Sequence, residues 1–156
     1  MTRNLLFAED QDVKYDAVQK ILAEQLSDDW VITRARTLVE AENLLFEGHW
    51  DAYVLDMSLD LTAGRAAFGS PSQATLGGLQ LIQTICLEGL ERQTLIVTSF
   101  DAFSNAKTGK RADSIVDLHH VEAEARRVLG SFYVGCVRYG SANWSGELNV
   151  ILRGIR

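Results

Sequence analysis

The sequence predicts an α/β protein in which helices cover both faces of a five-stranded parallel sheet, giving three layers. Short apolar runs recur along the chain, and such runs are typical of buried strands in a parallel sheet. Amphipathic stretches of helical period separate these runs, so that the chain reads as five rounds of strand and then helix. Alternating elements joined by right-handed crossovers form a parallel sheet between two helical layers.

The composition is that of a globular domain. The chain has 156 residues, of which 47% are hydrophobic, and this length favours one domain with a substantial core. A net charge of −6 argues against direct nucleic-acid binding as the main role. No apolar run approaches the roughly 20 residues that span a bilayer, and the amino terminus leads straight into a strand without a signal peptide. We therefore expect a cytoplasmic protein that has no membrane partner.

The first three rounds of strand and helix follow closely on one another. Helix one carries an apolar face made of Val18, Ile21, Leu22 and Leu26. The start of helix two has the pattern of a capping box, with Thr37 as the N-cap and Glu40 three residues later. The predicted ranges are 5–8, 30–35 and 52–55 for the strands, and 12–26 and 38–48 for the helices.

The regularity breaks after the third strand. Residues 60–78 contain the only proline and several glycines, and about 19 residues without periodicity are long for a loop in a compact domain. This loop is either a functional flap or a disordered insertion, and a second polar stretch covers about 101–111. The single domain, 1–156, is completed by a third helix beginning near residue 79, strand four at 94–97, helix four at about 111–129, strand five at 132–139, and a last helix capped by Ser141 or Asn143.

Polar side chains stand at the ends of three predicted strands. Glu9 and Asp10 follow strand one, Asp56 follows strand three, and Thr98 follows strand four. The ligand site of an open α/β sheet lies beyond the carboxyl ends of its strands, so these groups should meet there. Acidic residues after strands can also serve as helix caps or turn residues. Three segments that end this way, in the right order, instead favour a hard cation beside a reactive aspartate.

These segments together resemble a known family. The sequence reads LLFAED at 5–10, DAYVLDMSL at 51–59, GLQLI at 78–82 and LIVTS at 95–99. In this combination the chain resembles the receiver domain of two-component response regulators, of the chemotaxis-regulator type. The resemblance covers most of the chain apart from the two polar stretches. It implies a flavodoxin-like (βα)5 fold with the strand order 2-1-3-4-5.

The resemblance also implies a function. Asp56 would accept a phosphoryl group from a histidine kinase or a phosphotransfer protein, and Thr98 would contact that group as a switch. Mg²⁺ would be held by Glu9, Asp10, Asp56 and the backbone carbonyl of Met57. Such a receiver is not an enzyme beyond its own phosphorylation and slow autodephosphorylation. We expect its output to be the binding of a downstream protein through the face of helix four, strand five and helix five, which is also a candidate surface for a homodimer.

Three features depart from the family pattern. Asp60 stands where a proline usually follows the phosphoacceptor segment, and the loop after it is expanded. A Lys-Pro pair normally follows strand five, and this chain has none there. Arg138 is the nearest cation and could replace the lysine, although Arg and Lys are not interchangeable at a tight site. Lys107 and Lys110 could instead enter from the loop.

These departures leave alternatives open. The chain could be a degenerate receiver, a module that binds proteins without being phosphorylated. The aromatic switch on strand five could be Tyr133 or Tyr139, or both could simply be packed residues. A haloacid dehalogenase-like phosphohydrolase is disfavoured because Ser58 stands where that signature needs a second aspartate. A flavin-binding protein is disfavoured because the acidic segment EDQD at 9–12 would repel a phosphate.

Overall fold

Strands and helices alternate along the whole chain. The computed structural model describes residues 1–59, 77–99 and 118–155. Within these residues the elements are β1 (Arg3–Ala8), α1 (Asp12–Gln25), β2 (Trp30–Ala35), α2 (Leu38–Glu47), β3 (Ala52–Leu55), α3 (Gly77–Leu87), β4 (Gln93–Thr98), α4 (Leu118–Leu129), a short 3₁₀ turn (Gly130–Phe132), β5 (Tyr133–Arg138) and α5 (Trp144–Leu152).

Most of the two predicted polar loops lies outside the described residues. From the first loop, 60–78, only Gly77 and Gly78 are described, and they begin α3. The second loop, 101–111, and the first part of the predicted fourth helix, up to residue 117, also fall outside. The remaining predicted elements are present, and their ends differ from the predictions by one or two residues.

The five strands form one parallel sheet in the order β2-β1-β3-β4-β5, which confirms the predicted topology. β1 lies between β2 and β3, and its last residue, Ala8, pairs with Leu55, the last residue of β3. β3 pairs in turn with β4, where Leu55 lies opposite Ile96. The carboxyl ends of the three central strands therefore meet at one edge of the sheet.

Helices pack on both faces of this sheet, as predicted. Leu45 of α2, Leu81 of α3 and Val121 of α4 belong to one buried cluster, which covers the first face. Val18 of α1 and Leu148 of α5 belong to a second cluster on the other face. None of the described helices is long and apolar enough to cross a membrane.

The sequence predicted N-cap residues for two helices, α2 and α5. Thr37 caps α2 as predicted, since its hydroxyl accepts a hydrogen bond from the Glu40 amide at 3.1 Å. The Glu40 carboxylate does not accept a hydrogen bond from the Thr37 amide, as it would in a capping box. It accepts instead from the Arg36 amide at 2.7 Å, one residue earlier. Of the two predicted caps of α5, Asn143 stands at the N-cap position and Ser141 does not, but neither side chain makes a capping hydrogen bond within the described residues.

Thr37→Ala is expected to lower the free energy of unfolding by about 1 kcal/mol, because the Glu40 amide loses its acceptor. Urea denaturation at neutral pH measures this change. Thr37→Ser keeps the hydroxyl and is the matched control, which should stay close to the unsubstituted chain. An equal loss of stability in both variants would show that the cap hydrogen bond is not the cause.

Candidate functional site

Three carboxylates converge at the carboxyl edge of the sheet. Glu9 and Asp10 directly follow β1, Asp56 directly follows β3, and the Asp56 amide donates to the Ala8 carbonyl at 3.0 Å. One carboxylate oxygen from each of the three side chains lies within 4.8 Å of the others. Glu9 and Asp56 are fully buried, and Asp10 is half-buried. The structure thus brings together the three acidic residues that the sequence predicts for a cation site.

A buried lysine from helix α1 joins this cluster, and the sequence analysis missed it. The Lys14 ammonium lies 2.6 Å from Glu9 Oε2 and 3.0 Å from Asp56 Oδ1, and the side chain is 1% exposed. Its position in the sequence already indicated that it could be buried. Lys14 stands four residues before Val18 and eight before Leu22, on the apolar stripe that α1 turns toward the sheet.

Asp56 is also held from the carboxyl-terminal side. The Ser58 hydroxyl lies 3.2 Å from Asp56 Oδ1 and 3.1 Å from Oδ2, and donates to this carboxylate. The Gly78 amide donates to the Met57 carbonyl at 3.2 Å, which ties the start of α3 to this turn. A carbonyl keeps a second lone pair after one such bond, so the role of Met57 as a metal ligand stays a prediction.

A fourth acidic residue of the same segment has a separate role. Asp12 is exposed, and its Oδ1 accepts from Arg34 Nη1 at 2.7 Å and from Arg36 Nη1 at 2.6 Å. These two guanidinium groups, Arg34 first, hold the pKa of Asp12 below its usual range. Arg34 also donates through Nε to the Glu9 carbonyl at 3.0 Å. Asp12 therefore fastens the turn after β1 and takes no part in the carboxylate cluster.

Thr98 and Arg138 lie side by side at the same edge. Thr98 ends β4 and is fully buried, and its hydroxyl has no hydrogen-bond partner among the described residues. Arg138 ends β5 as the register partner of Thr98, and its side chain is exposed. β3 and β5 lie about 10 Å apart across β4. Whether Arg138 serves the site in place of a lysine stays a prediction, and Lys107 and Lys110 lie outside the described residues.

The two tyrosines of strand five are packed residues in this structure. Tyr133 lies at the opposite end of the strand from the site, since it pairs with Thr94, which is roughly 13 Å along β4 from Thr98. Its hydroxyl donates to Glu122 of α4 at 2.7 Å. The Tyr139 ring packs against Trp144 with 4.8 Å between the ring centres, and the Tyr139 amide donates to the Thr98 carbonyl. Of the two, Tyr139 alone lies at the edge that holds the carboxylates.

The carboxylate cluster suits a hard divalent cation. Asp10 Oδ1 is a buried oxygen that makes no hydrogen bond within the described residues, and carboxylate oxygens are the ligands that Mg²⁺ prefers. Burial, and then the charge of Asp56, raises the pKa of Glu9 to about 7 against the opposing effect of Lys14. One ammonium therefore does not offset the burial of Glu9 together with its repulsion by Asp56, and a divalent cation would complete the balance.

Solved structures of known proteins share this arrangement of elements. One is the signal receiver domain of an HD domain-containing protein from Pseudomonas fluorescens, at a TM-score of 0.63 and 18% identity over 99% of this chain and 94% of that one. A second is the response regulator TrrA from Thermotoga maritima, in complex with Mg²⁺ and BeF. Its TM-score is 0.59 and its identity is 15%, over 99% of this chain and 100% of that one. A third is the chemotaxis response regulator CheY4 of Vibrio cholerae, with a TM-score of 0.60 and 10% identity over the full length of both chains.

The chain has the receiver-domain fold. The resemblance predicted from the sequence is thus confirmed at the level of the fold, including the strand order and the three layers. No family model and no curated protein matches the sequence. A fold by itself does not determine function, which depends on the side chains at the carboxyl edge.

Gly78→Ala is expected to destabilise the site region of the receiver fold. A Cβ at this position would lie 2.2 Å from the Asp56 carbonyl oxygen, so the backbone that carries Asp56 has to shift. Overpacking of this kind costs about 1–3 kcal/mol, which thermal or urea denaturation can measure.

Gly146→Ala in the first turn of α5 is the matched control for Gly78. Its Cβ would meet the end of the Asn143 side chain, which can turn away. Alanine is favoured over glycine in a helix by about 1 kcal/mol, so this variant should be neutral or more stable. Equal stability changes in the two variants would contradict the proposed close approach at Asp56.

The unfolding free energy should depend on pH through Glu9. Its folded pKa, about 7, lies above the ordinary value of 4.5, so the folded state binds more protons in this window. Stability from this group therefore falls as pH rises from 4.5 to 7, by an amount on the order of 3 kcal/mol. Glu9→Gln removes the titration. In EDTA, its stability relative to the unsubstituted chain should rise between pH 5 and pH 8, and a constant difference would contradict the raised pKa.

Proposed function

We propose that this chain is a response regulator receiver that accepts a phosphoryl group on Asp56, with Mg²⁺ bound beside it. The observation that carries the proposal is the convergence of three carboxylate oxygens within 4.8 Å at the carboxyl edge of a receiver-type sheet. The phosphoryl group would come from a histidine kinase or a phosphotransfer protein. The phosphorylated form would act by binding a downstream protein.

The side chains of the site have distinct roles in this proposal. Glu9, Asp10 and Asp56 would hold the metal, whose chemistry is to neutralise charge on the carboxylate and on the incoming phosphoryl oxygens. Burial of Asp56 excludes water from the nucleophile, and the Ser58 hydroxyl orients it. Thr98 supports the proposal because its buried hydroxyl, unbonded within the described residues, can donate to a phosphoryl oxygen.

The proposed chemistry is limited to self-phosphorylation and slow autodephosphorylation. Asp56 attacks the phosphorus of the donor, a P–O bond forms on its carboxylate, and the donor leaves with the electron pair of the broken bond. The aspartyl phosphate would carry about −1.5 to −2 charges and three acceptor oxygens in place of the −1 of the carboxylate, a change that would reposition Thr98 or a neighbouring loop.

Incubation with Mg²⁺ and acetyl phosphate tests the proposal. Intact-protein mass spectrometry should detect one added phosphoryl group on the unsubstituted chain and none on Asp56→Asn. EDTA should abolish the labelling because the carboxylates would then repel the donor. Asp16→Asn, an exposed position on α1, is the matched control and should be labelled normally.

Labelling of Asp56→Asn at the normal level would place the phosphoryl group elsewhere and contradict the proposal. If the folded, unsubstituted chain accepted no phosphoryl group from acetyl phosphate or from a phosphorylated histidine protein, the chain would instead act as a phosphorylation-independent binding module. Circular dichroism of each variant checks that the fold is retained.

A further inference from the structure

Lys14 is an unusual residue for the interior of a protein. Lysine is almost never fully buried unless it is paired, yet this side chain is 1% exposed. Its ammonium contacts Glu9 and Asp56, the residues that follow the first and third strands. Within the described residues it is the cation in direct contact with the carboxylate at the centre of the site. Its place in the cluster therefore calls for a functional explanation.

The geometry of these contacts leaves hydrogen-bonding capacity unused. An ammonium has three donors, and within the described part of the chain two carboxylate oxygens face Lys14 Nζ, at 2.6 and 3.0 Å, so a third donor stays available. The Thr98 hydroxyl at the same edge is also buried and makes no hydrogen bond among the described residues. A buried donor that lacks an acceptor is unfavourable. Both groups are therefore suited to a ligand rich in acceptor oxygens.

The charges favour the same kind of ligand. Three carboxylates and one ammonium leave the cluster short of two positive charges when Glu9 is ionised, and a divalent cation supplies them. An aspartyl phosphate would carry about −1.5 to −2 charges where the Asp56 carboxylate carries −1, so the pocket would gain about −0.5 to −1. With the divalent cation and Lys14 both present, this gain is the whole net charge of the modified pocket. Without Lys14 the net charge would be one unit more negative.

We propose that Lys14 is the phosphoryl-binding cation of this site, so that helix α1 supplies the charge that the resemblance places after strand five. This inference rests on the proposed phosphorylation of Asp56. Lys14 contacts Asp56 Oδ1 and leaves Oδ2 as the attacking oxygen. As the P–O bond to Oδ2 forms and the donor leaves with its electron pair, the Lys14 ammonium donates to a phosphoryl oxygen.

Lys14→Met tests the proposal, since methionine keeps the apolar stem and removes the charge. Acetyl phosphate labelling should slow by roughly tenfold or more, the effect expected from losing one charged hydrogen bond. Binding of BeF₃⁻ in the presence of Mg²⁺, followed by fluorine NMR, should weaken similarly. Mg²⁺ alone, measured by calorimetry, should bind as tightly as before or more tightly, because a competing cation has gone. Lys20→Met, an exposed lysine of the same helix, should behave like the unsubstituted chain.

A second variant guards against misfolding. Lys14→Met leaves two buried carboxylates without their partner, and breaking such a pair can unfold a protein. Lys14→Met combined with Glu9→Gln removes one charge of each sign. It should be labelled roughly tenfold more slowly than Glu9→Gln alone. Equal rates in these two variants, or normal labelling of Lys14→Met, would overturn the role of Lys14 while leaving Asp56 as the phosphoacceptor.

The two proposals fail in different ways. If the unsubstituted chain bound neither the phosphoryl group nor BeF₃⁻, the function proposed for Asp56 would be wrong, and the role of Lys14 with it. If the unsubstituted chain were labelled and Lys14→Met lost Mg²⁺ binding, the lysine would act by shaping the metal site, and the direct contact with the phosphoryl group would be refuted.

Discussion

The buried ion pairs that join Lys14 to Glu9 and Asp56 are the constraint on which the carboxyl edge of this protein depends. A parallel sheet sets the ends of β1 and β3 side by side, so two fully buried carboxylates are forced together. Repulsion between such charges is strong where water is excluded. The ammonium contacts both, and removing one partner of a buried pair costs about 3–5 kcal/mol. The cluster is therefore stable only while α1 holds its lysine against the sheet.

The chain around the cluster is built to keep this geometry. α1 begins four residues after β1 ends, and its stripe of Lys14, Val18 and Leu22 faces the sheet from the first turn. On the other side, α3 begins with two glycines because a Cβ on either would lie 2.2 Å from a backbone carbonyl, that of Leu59 or of Asp56. Helix and turn thus approach Asp56 from opposite sides. Such close packing holds the Asp56 carboxylate in a fixed position.

The sequence predicted the topology and the acidic residues for the same physical reason. A short apolar run followed by a carboxylate marks both the buried strand and the edge where it ends, so Glu9, Asp10 and Asp56 could be placed without any coordinates. Lys14 was not placed there, because a lysine on a helix is ordinarily solvated and its partner Asp56 is distant along the chain, although its spacing to Val18 and Leu22 puts it on the buried stripe of α1. Arg138 was considered from the sequence, but its position at the end of a strand is hard to predict. A shift of one or two residues at the end of a strand changes which side chain reaches the site, and sequence patterns do not resolve such shifts.

At 10–18% identity the solved structures share the fold with this chain, and the contacts of its own side chains show how its elements are coupled. Lys14 shares its helical stripe with Val18 and Leu22, which belong to the same buried cluster as Leu148 and Leu152 of α5. A change in charge at Asp56 would pull on Lys14 and so act on the contact between α1 and α5. Thr98 acts by a different route, through its pairing with the end of β5, which itself packs against α5. Under the proposed role of Lys14, both routes reach strand five and the last helix. These elements belong to the face through which the resemblance to receivers implies an output, so a lysine on α1 can replace one after β5 and still address the same surface.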